Sequence, residues 1–187
     1  MLDLPDEQLM QSYINGNTKA FELLYQKHKE PLHRYLIRQC QTRAIAEELF
    51  QDTWIKVINA KQRYQSSAKF STYLYHIAHH ILIDHYRTHS KNVLNSYQSH
   101  DDEILDKLAV PSNQQPYQQL IQDQKINQLI RIVTDLPEAQ REAFILKEEA
   151  GLSLDEIAEV TGSNKQAVKS RLRYAFNKTR TELGGIE

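Results

Sequence analysis

The chain has 187 residues, a formal net charge of −1, five glycines, five prolines and one cysteine. That length holds one large or two small domains, and so few turn formers, with only Gly16 before Gly151, exclude a hairpin-built fold in favour of an all-α one. Cys40 alone excludes an internal disulfide and a cysteine-rich zinc site, and reads as a small buried apolar residue in a reducing cytosol. The opening MLDLPDEQLM lacks the basic lead and apolar core of an export signal, and no apolar run approaches the roughly 18 residues that cross a bilayer. The expectation is a cytoplasmic protein with no membrane insertion.

The first helical pattern is Ala20, Phe21, Leu24, Tyr25 and His28; Pro31 is expected to break it before it resumes with Leu32, Tyr35 and Leu36. Ala46, Leu49, Phe50, Thr53, Trp54 and Val57 then recur at i, i+3, i+4, i+7, i+8 and i+11, the pattern of a strongly amphipathic helix. Its outer stripe of Glu47, Glu48, Gln51, Asp52 and Ile55 is either plain solvated polarity or an acidic docking surface for a partner helix.

From Lys61 to Lys91 the chain carries five Lys or Arg residues against one acid, Asp84, interleaved with Tyr64, Phe70, Tyr73, Tyr75 and Tyr86. Cations that track phosphates and rings that stack on exposed bases are what single-stranded DNA requires. Spacing alone also allows Phe70, Tyr73, Leu74 and Ile77 to pack inward as core.

Residues 96–118, with two prolines and a cluster of acids, read as a linker that has room for one helical turn from Glu103 to Leu108. Net charge runs +3 over residues 1–95, −3 over 96–118 and −1 over 119–187. Sequence-independent affinity for DNA comes mainly from neutralising phosphates, so a near-neutral chain with local basic faces needs something else to supply most of the grip.

Beyond the linker, Leu120, Ile121, Leu129, Ile130 and Val133 mark a helix; Leu136-Pro137-Glu138 starts another, with proline where a missing N–H costs nothing. Ala143, Phe144 and Leu146 of that helix are placed to cover the pair of helices C-terminal to it. Ser153 with Glu156, and Ser163 with Gln166, are spaced as capping boxes on either side of Thr161-Gly162. Glycine there supplies a left-handed turn, and Ala158 before it with Val168 after it let two helices cross closely: a helix-turn-helix.

On its second helix Val168, Leu172, Ala175 and Phe176 should face inward, leaving Lys165, Gln166, Lys169, Ser170 and Arg173 as a groove-reading face. Asn164 to Arg180 holds six basic residues and no acid, against Asp155, Glu156 and Glu159 on the preceding helix. A merely solvated basic helix would leave the turn chemistry unexplained.

Together these segments resemble an alternative sigma factor of bacterial RNA polymerase, of the extracytoplasmic-function group in the sigma-70 family. AEELFQDTWIKVI (46–58) is similar to its polymerase-binding helix, KFSTYLYHIAHHILIDHYR (69–87) to its promoter-melting segment, and LPEAQREAFILKEEAGLSLDEIAEVTGSNKQAVKSRL (136–172) to its region four. The resemblance covers roughly residues 8–91 and 120–183. It implies two small helical domains, region two in 1–95 and region four in 119–187, joined by a flexible acidic linker in 96–118 that threads toward the polymerase's RNA channel.

It also implies roles. Glu48, Gln51, Asp52 and Ile55 would dock on a coiled coil of the polymerase's largest subunit. Arg63, Tyr64, Lys69, Phe70, Tyr73, His76, His80 and Arg87 would melt and hold the minus-ten element. Lys165, Gln166, Lys169, Ser170, Arg171 and Arg173 would read the minus-thirty-five element as duplex. The partners so implied are core RNA polymerase, promoter DNA and an anti-sigma factor, with no cofactor. His80 stands where many members of the group carry asparagine.

Two other readings compete. Five of the eight histidines fall between His76 and His89, and the pairs His76/His80 and His85/His89, each one helical turn apart, have the spacing of metal ligands in a phosphohydrolase; they lack a carboxylate set beyond Asp84. A stand-alone helix-turn-helix regulator is the other, but the chain shows no heptad or apolar seam for dimerising on two half-sites.

Overall fold

In the computed structural model, residues 4–65, 68–93 and 116–184 are described, those of 89–93 and 116–124 by backbone only. The linker up to residue 115, with the turn at Glu103–Leu108, lies outside them. Eight α-helices and one 3-10 turn, and no strand, make up the described residues: α1 (Asp6–Ile14), α2 (Thr18–Gln39), α3 (Arg43–Asn59), the 3-10 turn (Lys61–Arg63), α4 (Phe70–Val93), α5 (Pro116–Thr134), α6 (Glu138–Glu148), α7 (Leu154–Val160) and α8 (Lys165–Gly184). Helices α1 to α4 pack on one another, α5 to α8 do the same, and α4 against α7 with α2 against α6 joins the two sets.

The first set is built on α2 and α3. Ala46, Leu49, Thr53, Trp54 and Val57 are buried as their spacing requires, and Trp54 meets Phe21 and Tyr25 of α2 edge-on at 5.8 and 5.0 Å. Such a buried side chain contributes about 1.5–3 kcal/mol, and each edge-to-face pair about 0.5–1.5 more. Acidic Asp6 and Glu7 sit in the first turn of α1, where a helix dipole favours them, and both also bind elsewhere. Asp6 accepts from Lys27 and His28 at 2.7 and 2.8 Å, while Glu7 accepts the N–H of Phe70 at 3.0 Å and ties α1 to the start of α4.

Pro31 does not break α2, contrary to the expectation from sequence. It removes one hydrogen bond, to the carbonyl of Lys27, on an exposed turn that water can serve. Meanwhile His28, Leu32, Tyr35 and Leu36 are all buried on one face across the proline, so tertiary packing holds the helix together.

In the second set Ile145, Leu146, Ile157, Val160, Val168 and Ala175 are completely buried. Ser153 forms the expected capping box: its hydroxyl accepts from Glu156 N–H at 3.3 Å and its own N–H donates to the Glu156 carboxylate at 2.7 Å. At the other end of α7, Gly162 takes φ +58°, the N–H of Ser163 reaches the carbonyl of Ala158 at 2.9 Å, and that of Gly162 reaches Glu159. This is a Schellman cap, which needs a left-handed residue. A Cβ on Gly162 would meet nothing within 4 Å, so only backbone strain opposes a side chain. Gly162→Ala is accordingly expected to cost about 1–2 kcal/mol, read as a lowered thermal midpoint by circular dichroism.

The second capping box is corrected. Helix α8 begins one residue later than Ser163 implies, and Asn164 caps it, its side-chain oxygen accepting from Ala167 N–H at 2.8 Å. Ser163 is already used, by its N–H in the Schellman cap and by its hydroxyl, which pairs with that of Thr161 at 2.9 Å. Phe176 is also corrected: it is 37% exposed and meets Phe144 at the margin of the core, and buried Thr179 takes the inward position a turn later.

Candidate nucleic-acid interface

Three exposed faces carry the candidate residues. On α8, Val168, Leu172 and Ala175 point inward, which leaves Lys165, Gln166, Lys169 and Arg173 exposed and Ser170 and Arg171 half-buried. Gln166, Ser170 and Arg173 stand at i, i+4 and i+7, one stripe along the helix. Lys165 reaches back across the turn to Asp155 at 2.8 Å, an exposed pair that salt would screen. The Arg173 guanidinium lies 5.4 Å from the ring centroid of Tyr174, which is 54% exposed beside that stripe. Sequence reasoning passed over Tyr174; a large exposed ring beside a basic stripe was the available signal.

On α3, Glu48, Gln51, Asp52 and Ile55 are all exposed at i, i+3, i+4 and i+7. Glu47 falls out of that stripe, because its carboxylate is held by His33 of α2 at 3.1 Å. Asp52 and Ile55 border a cleft of about 480 Å³ that continues over Lys56, Asn59, Ala60, Arg63 and Ile81. The α3 stripe and Arg63 are thus parts of one continuous surface.

From the 3-10 turn through α4 the candidates divide. Arg63, Lys69, His76, His80 and Arg87 are exposed and Tyr73 is half-buried. Tyr64 and Phe70 are not available to stack on a base, and here the structure corrects the expectation: Phe70 is completely buried against His28, and Tyr64, 7% exposed, turns its hydroxyl to the carbonyl of Ala68 at 2.7 Å. Both rings fix the start of α4 instead. Burial raises Tyr64 to about 12, with Glu7 and Asp6 adding to it, so its hydroxyl stays protonated.

His76 and His80 lie with ring centroids 4.2 Å apart, and His80 donates from Nδ1 to the His76 carbonyl at 2.8 Å. Partial desolvation of its ring, and then the neighbouring His80, lower His76 from the ordinary imidazole range, although the residue as a whole is exposed. The His89 side chain lies outside the described residues. Among the described residues no three or more His, Cys, Asp or Glu side chains are grouped to hold a metal ion.

Lys69 pairs with Glu156 of the α7 capping box at 2.9 Å. Burial acts to raise that carboxyl, but the Ser153 N–H, Lys69 and the Ser153 hydroxyl outweigh it and hold Glu156 at about 2. Arg34 and Arg38, on α2, are a further basic pair that sequence reasoning did not single out. Like charges one helical turn apart, which repel unless something anionic lies between them, were the missed signal.

Residues 24–92 match Sigma-70 region 2, and residues 126–178 match Sigma-70 region 4. The chain is 29% identical over 178 residues to RNA polymerase sigma factor CarQ of Myxococcus xanthus, across 95% of this chain and 97% of that one. It is 30% identical over 156 residues to RNA polymerase sigma factor YlaC of Bacillus subtilis, across 83% and 87%. In three dimensions it is similar to the sigma factor RpoE of Bartonella quintana, solved in complex with the anti-sigma factor NepR, with a TM-score of 0.70 at 22% identity over 90% of this chain and 99% of that one. It is also similar to CnrH, solved with the cytosolic domain of CnrY, with a TM-score of 0.66 at 19% identity over 97% and 99%. These two likenesses establish the all-α fold; no described helix is long and apolar enough to cross a membrane. With both family regions matched in order and a 30% identical relative spanned over most of its length, the chain belongs to the sigma-70 family, as a transcription initiation factor of the extracytoplasmic-function type and not an enzyme.

Proposed function

We propose that this chain works in the cytoplasm by binding core RNA polymerase through Glu48, Gln51, Asp52 and Ile55 and delivering two DNA-reading surfaces to a promoter. Residues 1–95 form the half that holds the minus-ten element as a single strand, 119–187 the half that reads the minus-thirty-five element as duplex, and 96–118 the tether. Lys165, Gln166, Lys169, Ser170, Arg171 and Arg173 supply the duplex contacts. Arg63, Lys69, Tyr73, His76, His80 and Arg87 supply the single-strand contacts, with Tyr64 and Phe70 setting their position from the core. An anti-sigma factor, as NepR is for the structural relative RpoE, is the expected regulator.

The observation that carries this reading is the separation of charge by element: an exposed acidic stripe on α3, an exposed basic stripe on α8, and Arg63 and Lys69 exposed just ahead of α4. Unstacking one base-pair step costs about 1.4 kcal/mol, and one base captured on an exposed ring returns roughly 1–3. With Tyr73 the one partly exposed ring among the candidates Tyr64, Phe70 and Tyr73, the chain cannot melt several steps by stacking, and a net charge of −1 gives it little hold on duplex DNA. The polymerase therefore supplies the grip and the bending. Asp52→Arg reverses the exposed stripe without touching the core and is expected to weaken core polymerase binding about tenfold or more at an unchanged thermal midpoint. Native pull-down measures it; undiminished assembly would rule out the stripe as the docking surface.

A further inference from the structure

Three of the described histidines are committed to carboxylates. His28 pairs with Asp6 at 2.8 Å, His33 with Glu47 at 3.1 Å and His79 with Glu142 at 2.7 Å. His76 and His80 differ: both are exposed on α4, and each has the other as its ring neighbour. They stand at i and i+4, the spacing at which two imidazoles on one helix face reach a single metal ion.

Two observations go beyond the spacing. The ring centroids are 4.2 Å apart with the planes tilted by 42°, so the rings lie side by side. Rings bound next to each other on one ion, each through a nitrogen at about 2.0–2.1 Å from it, also stand a few ångströms apart, and ring rotation without backbone movement is enough to bring both to it. The second observation fixes a tautomer. His80 Nδ1 lies 2.8 Å from the His76 carbonyl, which can only accept, so the Nδ1 proton is held there and the lone pair of the neutral ring is on Nε2. A metal-bound histidine is oriented in the same way, its other ring N–H given to a carbonyl or carboxylate.

The donor set selects the ion. Neutral imidazole suits zinc, copper(II) and nickel(II), whereas magnesium and calcium take oxygen ligands. Metal binding needs both rings neutral, and the lowered His76 meets that need more readily than an ordinary imidazole. Two protein ligands are fewer than the four of a closed structural zinc site or the three of a catalytic one, so water fills the remaining positions and the ion can exchange. Exposed Glu159 of α7 is near enough for its charge to act on His76, which balances a cation there without completing a three-residue ligand group.

We propose that His76 and His80 form an exchangeable surface site for a divalent late-transition cation such as Zn²⁺, held by two imidazole nitrogens one turn apart on α4. The site stands on the two rings and goes beyond the minus-ten reading without depending on it. Where that reading holds, a bound cation takes both rings away from the strand.

The test titrates Zn²⁺ into the full chain, first freed of metal by chelation, and follows uptake by isothermal titration calorimetry and the histidine rings by ¹⁵N nuclear magnetic resonance. Mg²⁺ is titrated in parallel. The expected result is saturable uptake of one Zn²⁺ per chain, with the ring nitrogens of His76 and His80 shifted together, and no uptake of Mg²⁺. His76→Ala and His80→Ala, both at exposed helix positions and checked for helix content by circular dichroism, are each expected to weaken Zn²⁺ binding about tenfold or more. His85→Ala/His89→Ala removes the other pair at the same spacing and is expected to bind as wild type does. Absence of saturable uptake by the wild-type chain, undiminished binding in His76→Ala/His80→Ala, or a loss that follows His85 and His89 instead overturns the proposal.

Discussion

Ile157→Ala is expected to lower the unfolding free energy of the C-terminal helices by about 2–5 kcal/mol. Ile157 is completely buried, and α7 is only the seven residues Leu154–Val160, too short to persist without its packing against α6 and α8. Neither the capping box nor the Schellman turn replaces a lost core side chain, because each helix terminus contributes only about 1 kcal/mol. Against a total stability of roughly 5–15 kcal/mol, a cavity there is a large fraction of what holds the turn. Chemical denaturation followed by circular dichroism measures the loss. The functional consequence is one-sided: upstream duplex recognition should fall, while core polymerase binding through α3, on the other helix set, should persist.

Lys169→Ala and Arg173→Ala are each expected to weaken recognition of the minus-thirty-five element by about 1–3 kcal/mol if the side chain bonds a base edge, and to relax selectivity at one base pair. Both side chains are exposed on α8, so neither change should disturb folding. A phosphate contact would instead weaken binding evenly across sequences and reduce its salt dependence. Run-off transcription on templates with each upstream position mutated distinguishes the two. Unchanged selectivity in both variants would remove α8 as the reading helix.

Local chemistry made much of this legible. The Ser153 and Glu156 cap, the left-handed Gly162 and the inward stripe of α3 each depend on near neighbours in the chain, and the structure forms each of them. The errors arose where a distant contact outweighed a local rule. Pro31 reads as a break until His28 and Leu32 are seen buried on one side of it. Ser163 reads as a cap until its N–H is spent on the Schellman turn. Tyr64 and Phe70 carry the composition of a stacking surface, but α1 and α2 close over Phe70, and Tyr64 is buried against Phe70 and Tyr73.

The interface between the helix sets was beyond reach altogether. Tyr35 and Glu142 are 107 positions apart, and no periodicity links them. The charge totals of the two halves gave no hint of it either, since near-neutral sums hide three buried carboxylates opposite four basic side chains.

The central claim is that this chain gives promoter selectivity to a polymerase whose strength it borrows. The most direct measurement is run-off transcription from genomic fragments with purified core RNA polymerase, with and without the chain, paired with footprinting of the chain alone at physiological salt. The account predicts new, position-specific starts only when both are present, and no footprint from the chain by itself. No added starts with core enzyme, together with a clear footprint from the unaided chain, would contradict it.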